Sequence, residues 1–313
     1  MKKNISIFFT HPQSIPMDIS KLRAQRNKVI QDLHPLPPND PPPAYQKDDL
    51  NDKPVKHSIV GDGWLARLDA NLRDTDVHLL LDDSGSMFFN DVSRDVQRQY
   101  TNSEFKRPDG KPIKTRFDEA LTSIYRILPL IQMVETKVTL SFLNSRDVHV
   151  ANTDAEFEQL KNVIVELCRK NSNGGTPLVG RMREIYGNLQ TSNRKHLAIL
   201  FVDGEPGDYG FEPRNVQRAF DDLVKLFKAR KENIFTCIAL CTDNEDEVGR
   251  YNGLDTDLPR FDVCDDFFSE RAEIAKVYRK SNIPMDERMF TYEDYLIKML
   301  IGAIDQEIDR LDE

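Results

Sequence analysis

The sequence predicts an α/β protein whose central sheet is mostly parallel and covered by helices on both faces. Three observations predict it. Strand-like and helix-like segments alternate from Trp64 to the end of the chain, the pattern of a parallel sheet wrapped by crossover helices. The strand segments "VHLLLDD", "HLAILFVDG" and "NIFTCIALCT" are almost continuously apolar, as strands buried on both faces are. Two of them end in an acid directly after the apolar run, at Asp82 and Asp203. In open α/β sheets, ligands bind beyond the carboxyl ends of the strands.

Each element has its own justification. In "WLARLDANL", Trp64, Leu68 and Leu72 recur every fourth residue, giving a short helix. "VHLLLDD" is the first strand. "RFDEALTSIYRILPLIQMVE" is a helix expected to bend or end near Pro129, because proline lacks an N–H and clashes with the preceding turn. "KVTLSFLN" and "VHVAN" are strands whose "SRD" connection is short enough for a hairpin. "DAEFEQLKNVIVELCRK" places Phe157, Leu160, Val163, Ile164 and Leu167 on one helical face. "PLVGRMREIYGNL" is a helix with Pro177 at its start, where proline is tolerated. "HLAILFVDG" and "NIFTCIALCT" are buried strands flanking the helix "NVQRAFDDLVKLFKARK", and "RFDVCDDF" is a short last strand. "SERAEIAKVYRK" and "YEDYLIKMLIGAIDQEIDRL" are closing helices.

The first 57 residues differ in character. "DISKLRAQRNKVIQDL" spaces Ile19, Leu22, Val29, Ile30 and Leu33 as an amphipathic arm, with Asp18 as N-cap. The proline-rich "HPLPPNDPPPAYQKDD" reads as an extended linker. Within it, Pro42, Pro43, Ala44 and Tyr45 fit the P-P-x-Y form that WW domains read, against the plainer reading of a spacer. The expected division is therefore an arm and linker over 1–57 and one domain over 58–313. A polar, locally basic insertion at about 88–115 interrupts that domain. Loops of this length are usually functional or disordered.

Composition excludes several classes. With 313 residues and 39% apolar content the chain can bury a large core. A net charge of −9 argues against a general nucleic-acid binder. No apolar run reaches the ~18 residues of a membrane span. The N-terminal "MKKNISIFFTHPQ" is too short in its apolar part for a secretory signal. A cytoplasmic protein is expected, although a bacterial protein delivered into a host cell would read the same. Cys168, Cys237, Cys241 and Cys264 form no CxxC pair, so buried thiols are expected.

The chemistry concentrates at "LLLDDSGSM". Asp82, Ser84 and Ser86 can turn alternate oxygens toward one centre, and such hard ligands suit Mg²⁺, Mn²⁺ or Ca²⁺ rather than zinc. Thr176 in the glycine-rich "NSNGGTPLVG" and Asp203 in "ILFVDGEPGD" are candidates to complete the shell. Three alternatives have less behind them. Asp and Ser at a strand–helix junction are commonly caps. An aspartyl nucleophile would want a second Asp where Ser84 stands. The acidic "TDNEDE" from Thr242 lacks the glycine and spacing of a calcium loop and reads as a solvated helix start. His78 and His196 lie within or beside strands and are read as structural. Asp83, Glu205 and Asp208 either deepen a negative rim or are solvated loop acids. The acidic end "DQEIDRLDE" reads as an exposed helix end, with an export signal as the rival.

The succession "DDSGSM", "GGTP", "FVDGEP" resembles the von Willebrand factor type A (vWA) domain with its metal-ion-dependent adhesion site, over roughly Asp74 to Leu311. It is most similar to the intracellular vWA proteins of fungi, protists and some bacteria, which share a "PPPAY"-like lead-in and an ending similar to "LIKMLIGAIDQEIDR". The resemblance implies a three-layer Rossmann-like fold with strand order 3-2-1-4-5-6 and the "VHVAN" strand antiparallel at one edge. It implies that Ser84 and Ser86 bind a divalent metal directly. Thr176 would bind it directly or through water, and Asp82 and Asp203 mostly through bound water or as anchors. The implied function is metal-dependent binding of a protein partner that presents an acidic residue, with Glu205 at the rim, in an adaptor or regulatory role. The rival is a bacterial effector or a metal-dependent phosphoryl-transfer or hydrolytic enzyme using the same site and the 88–115 insertion.

Overall fold

The computed structural model describes residues 64–88, 105–171, 174–242, 244–280 and 290–311, together with Ala24. The amphipathic arm, the P-P-x-Y segment with Pro42, Pro43 and Tyr45, and the middle of the insertion lie outside the described residues. The elements run α1 (Trp64–Leu72), β1 (Thr75–Leu81), a 3₁₀ turn (Ser86–Phe88), α2 (Arg116–Met133), β2 (Val138–Phe142) and β3 (Val148–Ala151). They continue with α3 (Asp154–Leu167), α4 (Leu178–Leu189), β4 (Lys195–Val202), α5 (Pro213–Ala229), β5 (Ile234–Leu240) and α6 (Glu245–Asp257). The last are β6 (Phe261–Cys264), α7 (Phe267–Lys280), α8 (Tyr292–Ile301) and α9 (Gln306–Asp309).

The six strands form one sheet in the order β3-β2-β1-β4-β5-β6. Only β2–β3 is antiparallel; the other four pairings are parallel. The order reverses direction at β1, so β1 and β4 are neighbours with Leu81 opposite Phe201. That register brings the residues after both strands to one edge of the sheet, at the switch point where ligands bind in such folds.

Alternation along the strands splits the core into two layers. Val77, Leu79, Leu140, Ile199 and Phe201 pack against α1, α2, α3 and α8. Leu80, Leu200, Val202, Ile238 and Leu240 pack against α4, α5 and α6. The apolar stripes of the crossover helices supply the covering surface: Leu121, Ile124 and Leu128 of α2, and Ala219, Leu223 and Phe227 of α5, are fully buried.

Capping fixes where the helices begin. Thr115, Thr153 and Thr291 each form a reciprocal capping box with the acid three residues on, Asp118, Glu156 and Asp294. Asp118 does a second job. It accepts from Arg107 Nη1 at 2.8 Å, while Arg107 also holds Asp109 and the Cys168 carbonyl. The last third of the insertion, from Phe105, is thereby anchored to α2 and the end of α3. Thr115→Ala is expected to cost about 1 kcal/mol, read from urea unfolding.

Two expectations need correction. Of the two outcomes expected near Pro129, a bend or an end, the end does not fall at the proline: α2 continues to Met133. Burial of Leu130, Ile131 and Met133 in the core holds the last turn despite the missing N–H. The turn stops instead at Glu135, which takes a left-handed φ of 58°. The closing "YEDYLIKMLIGAIDQEIDRL" is two helices rather than one, broken between Ile301 and Gln306. Gly302 sits against a buried carboxylate: a Cβ there would stand 1.9 Å from Asp262 Oδ2. The "TDNEDE" run is a helix start, as expected, with Asn244 capping Asp246 N–H at 3.1 Å.

Candidate metal centre

The centre forms where β1 and β4 end. Asp82 N–H still donates to the Phe201 carbonyl at 2.9 Å, so the strand ladder carries Asp82 to the sheet edge before the chain turns. Asp82 Oδ1 accepts from Ser84 N–H at 2.7 Å, an Asx-type turn that sets Ser84 and Ser86 over the edge. Their hydroxyl oxygens lie 3.0 Å apart. Ser86 Oγ donates to Asp203 Oδ1 at 3.1 Å. Asp82, Ser84, Ser86 and Asp203 are therefore brought together from segments more than a hundred residues apart.

Thr176 arrives on a third segment. Its glycine-rich loop is docked onto the serine turn by a parallel bridge between Ser84 and Gly174, and by Gly85 N–H donating to the Gly174 carbonyl at 2.9 Å. It is docked onto the loop after β4 by Gly207 N–H donating to the Thr176 carbonyl at 2.8 Å. Thr176 is buried. The loop between β4 and α5 thus braces the threonine as well as supplying the second aspartate.

The electrostatics are those of a cation site. Asp82 is fully buried, and its Oδ2 has no hydrogen-bond partner among the described residues. Burial, then the facing Asp203, push its carboxyl up to about 7. Asp203 is partly neutralised: Arg116, the first residue of α2, places Nη1 3.0 Å from Asp203 Oδ2 and 3.3 Å from its carbonyl oxygen. Glu247 on α6 faces the same group, and burial raises its carboxyl. An orphaned buried carboxylate oxygen, two convergent hydroxyls and a second aspartate fit a hard divalent cation.

Asp83, beside Asp82, has a mechanical role. Its Oδ1 accepts from Asn144 N–H at 2.8 Å and from Asn144 Nδ2 at 3.1 Å, and the same amide donates to the Gly175 carbonyl at 2.9 Å. One asparagine after β2 therefore clamps the serine turn to the threonine loop. Asp208 caps α4 from outside, accepting from Val179 and Gly180 N–H at 2.9 and 2.8 Å. That supplies the cap that Pro177 cannot. Glu205 is ion-paired with Arg250. Sequence reasoning missed Arg116, Asn144 and Glu247. An asparagine directly after a strand bordering β1 was a usable signal; nothing in the sequence pointed to Arg116. Asn144→Ala removes two side-chain hydrogen bonds at an exposed position and is expected to cost about 0.5–1.5 kcal/mol of stability, read from urea unfolding.

A second group of ligand-type side chains lies inside the fold. Cys237, Asp262 and Cys264 bring ligand atoms within 4.8 Å of one another. A cation already stands there: Lys298 Nζ lies 3.1 Å from Asp262 Oδ1 and from Glu270 Oε1. All four cysteines are free and buried, as expected. His78 and His196 face each other across β1 and β4, with Nε2 and Nδ1 3.2 Å apart, away from the centre. Among the described residues, no helix is long and apolar enough to cross a membrane.

Comparison with known proteins is sparse. No family model matches the chain, and no curated protein matches it. Among solved structures it is similar to a protein described as von Willebrand factor type A from Catenulispora acidiphila, at 14% identity and a TM-score of 0.39. The match covers 74% of this chain and 43% of that one, so the chain spans less than half the length of its neighbour. The α/β class rests on the sheet described above, six strands of which only one pairing is antiparallel.

Proposed function

We propose that residues 58–313 form a divalent-metal-dependent protein-binding module, working in the cytoplasm as an adaptor or regulator. On this reading Ser84 and Ser86 ligate Mg²⁺ or Mn²⁺, Thr176 does so directly or through water, and Asp82 and Asp203 act through bound water or as anchors. When bound, the metal supplies a positive centre that an acidic side chain of a partner can complete. Neutral hydroxyl ligands suit that role, because they leave most of the ion's charge uncancelled. The chain's own groups do the rest. The Asp83–Asn144 clamp orients the loops, and Arg116 fixes Asp203. Burial keeps Asp82 from being satisfied by bulk water. The N-terminal segment, with Pro42, Pro43 and Tyr45, would tether the module to a second partner.

The observation that carries the reading is the buried, unpartnered Asp82 Oδ2 beside the paired Ser84 and Ser86 hydroxyls. Calorimetric titration of Mg²⁺ and Mn²⁺ tests it. Wild type is expected to bind one ion, and Ser84→Ala to weaken binding by at least about tenfold, or ~1.4 kcal/mol. Absence of binding by wild type would sink the proposal.

A further inference from the structure

The second face of the sheet is incompletely covered. There α4, α5 and α6 pack on β1, β4, β5 and β6, while the helix that packs on β3, α3, lies on the other face. The side chains of β2 and β3 on this face are Thr139, Ser141, Val148 and Val150, paired in register across the two strands. Val148 and Val150 are 53% and 49% exposed, two of only three large exposed hydrophobics among the described residues. Between β3 and α4 this leaves a cavity of about 430 Å³, within the roughly 300–1,000 Å³ of ligand pockets.

The lining is two-sided. Ile185 and Val148 present apolar surface, over a floor of the buried Leu80, Met182, Leu189 and Leu200. The polar groups at the other side are unusually free. Arg146 is exposed and has no ion pair among the described residues. The Thr139 hydroxyl and the Asn188 amide likewise have no hydrogen-bond partner among them. Arg181 adds a second guanidinium, with Nε held by the Phe142 carbonyl at 2.9 Å and Nη1 by Glu184 at 2.7 Å. With Glu184 the only lining acid, the cavity carries an excess of positive charge, in a chain whose net charge is −9.

We propose that this cavity is a binding site for a small amphipathic anion, an apolar body carrying one carboxylate or sulfonate. The apolar part lies on Ile185 and Val148, and the acid group meets Arg146 at the mouth. Apolar walls give affinity, and the few convergent donors fix orientation. The site is separate from the proposed metal centre and does not depend on it.

The test uses the full chain and two probes, 8-anilinonaphthalene-1-sulfonate and decanoate, with 1-decanol as the uncharged analogue. The dye is expected to bind one-to-one with enhanced fluorescence. Decanoate should displace it at least about tenfold more effectively than decanol. Ile185→Trp, which fills the cavity, should abolish binding. Arg146→Glu, at an exposed position, should weaken it about tenfold or more with the melting temperature unchanged. No dye binding, binding indifferent to both substitutions, or equal displacement by decanol would each overturn the proposal. So would a concentration-dependent dimer in sedimentation that Ile185→Trp abolishes, which would assign the face to a second copy of the chain.

Discussion

Asp82→Asn should make the metal-free protein more stable at pH 8 and deaf to Mg²⁺ and Mn²⁺. The folded carboxyl titrates at about 7, against 3.8 for an unperturbed aspartate. Between those values the folded chain holds a proton that the unfolded chain has released, so stability falls as pH rises through this window. Above pH 7 the full cost of the buried charge is present, about 4 kcal/mol at ~1.4 kcal/mol per pH unit. Asparagine keeps the acceptor for Ser84 N–H and cannot ionise, so it escapes that cost. Its buried amide N–H₂ then lacks a partner, which returns about 1–3 kcal/mol. The net gain should raise the melting temperature by several degrees, at about 2–4 °C per kcal/mol for a domain of this size. The metal-free wild type should melt lower at pH 8 than at pH 6, with the Asn variant nearly flat. Added Mg²⁺ should lift the wild type alone, and more at pH 8, because the ion requires the carboxylate. A variant that melts below wild type at pH 8, or that still responds to metal, would remove Asp82 from the site.

The sheet was legible because a parallel sheet writes itself into the sequence. Strands buried on both faces must be apolar throughout, so β1, β4 and β5 stand out, and the acids after β1 and β4 mark the edge where the faces end. Asp82, Ser84, Ser86 and Asp203 could be foreseen as neighbours for that reason. The missing parts depend on tertiary contact. Arg116 meets Asp203 only because α2 starts beneath the loop after β4. The role of Asp83 depends on Asn144, sixty-one residues on, which donates to it from the end of β2. Pro129 was read by local rule, whereas burial of the turn beyond it decided the outcome. Gly302 is glycine because a carboxylate on a strand forty residues earlier occupies the space of a side chain, and no local window contains that information.

Lys298→Met should lower stability by about 3–5 kcal/mol. Lys298 and Asp262 are fully buried, and Glu270 nearly so. Each carboxylate lies 3.1 Å from the ammonium. Removing the lysine takes away the ammonium that stands 3.1 Å from both carboxylates, and a methionine of similar length cannot replace its charge. The cost comes from stranded charge rather than lost packing, and that makes it reversible. Adding Asp262→Asn and Glu270→Gln to Lys298→Met removes the stranded charges and should recover most of the stability, since replacing a whole buried ion set is often close to neutral. If packing were responsible, the triple variant would be the worst of the series. The set ties β6 to α7 and α8, two strands from β4, whose following loop carries Asp203. Any Mg²⁺-induced rise in melting temperature should therefore survive in Lys298→Met at a lower baseline. Loss of that rise together with stability would mean that the metal edge and the β6 edge unfold as coupled parts.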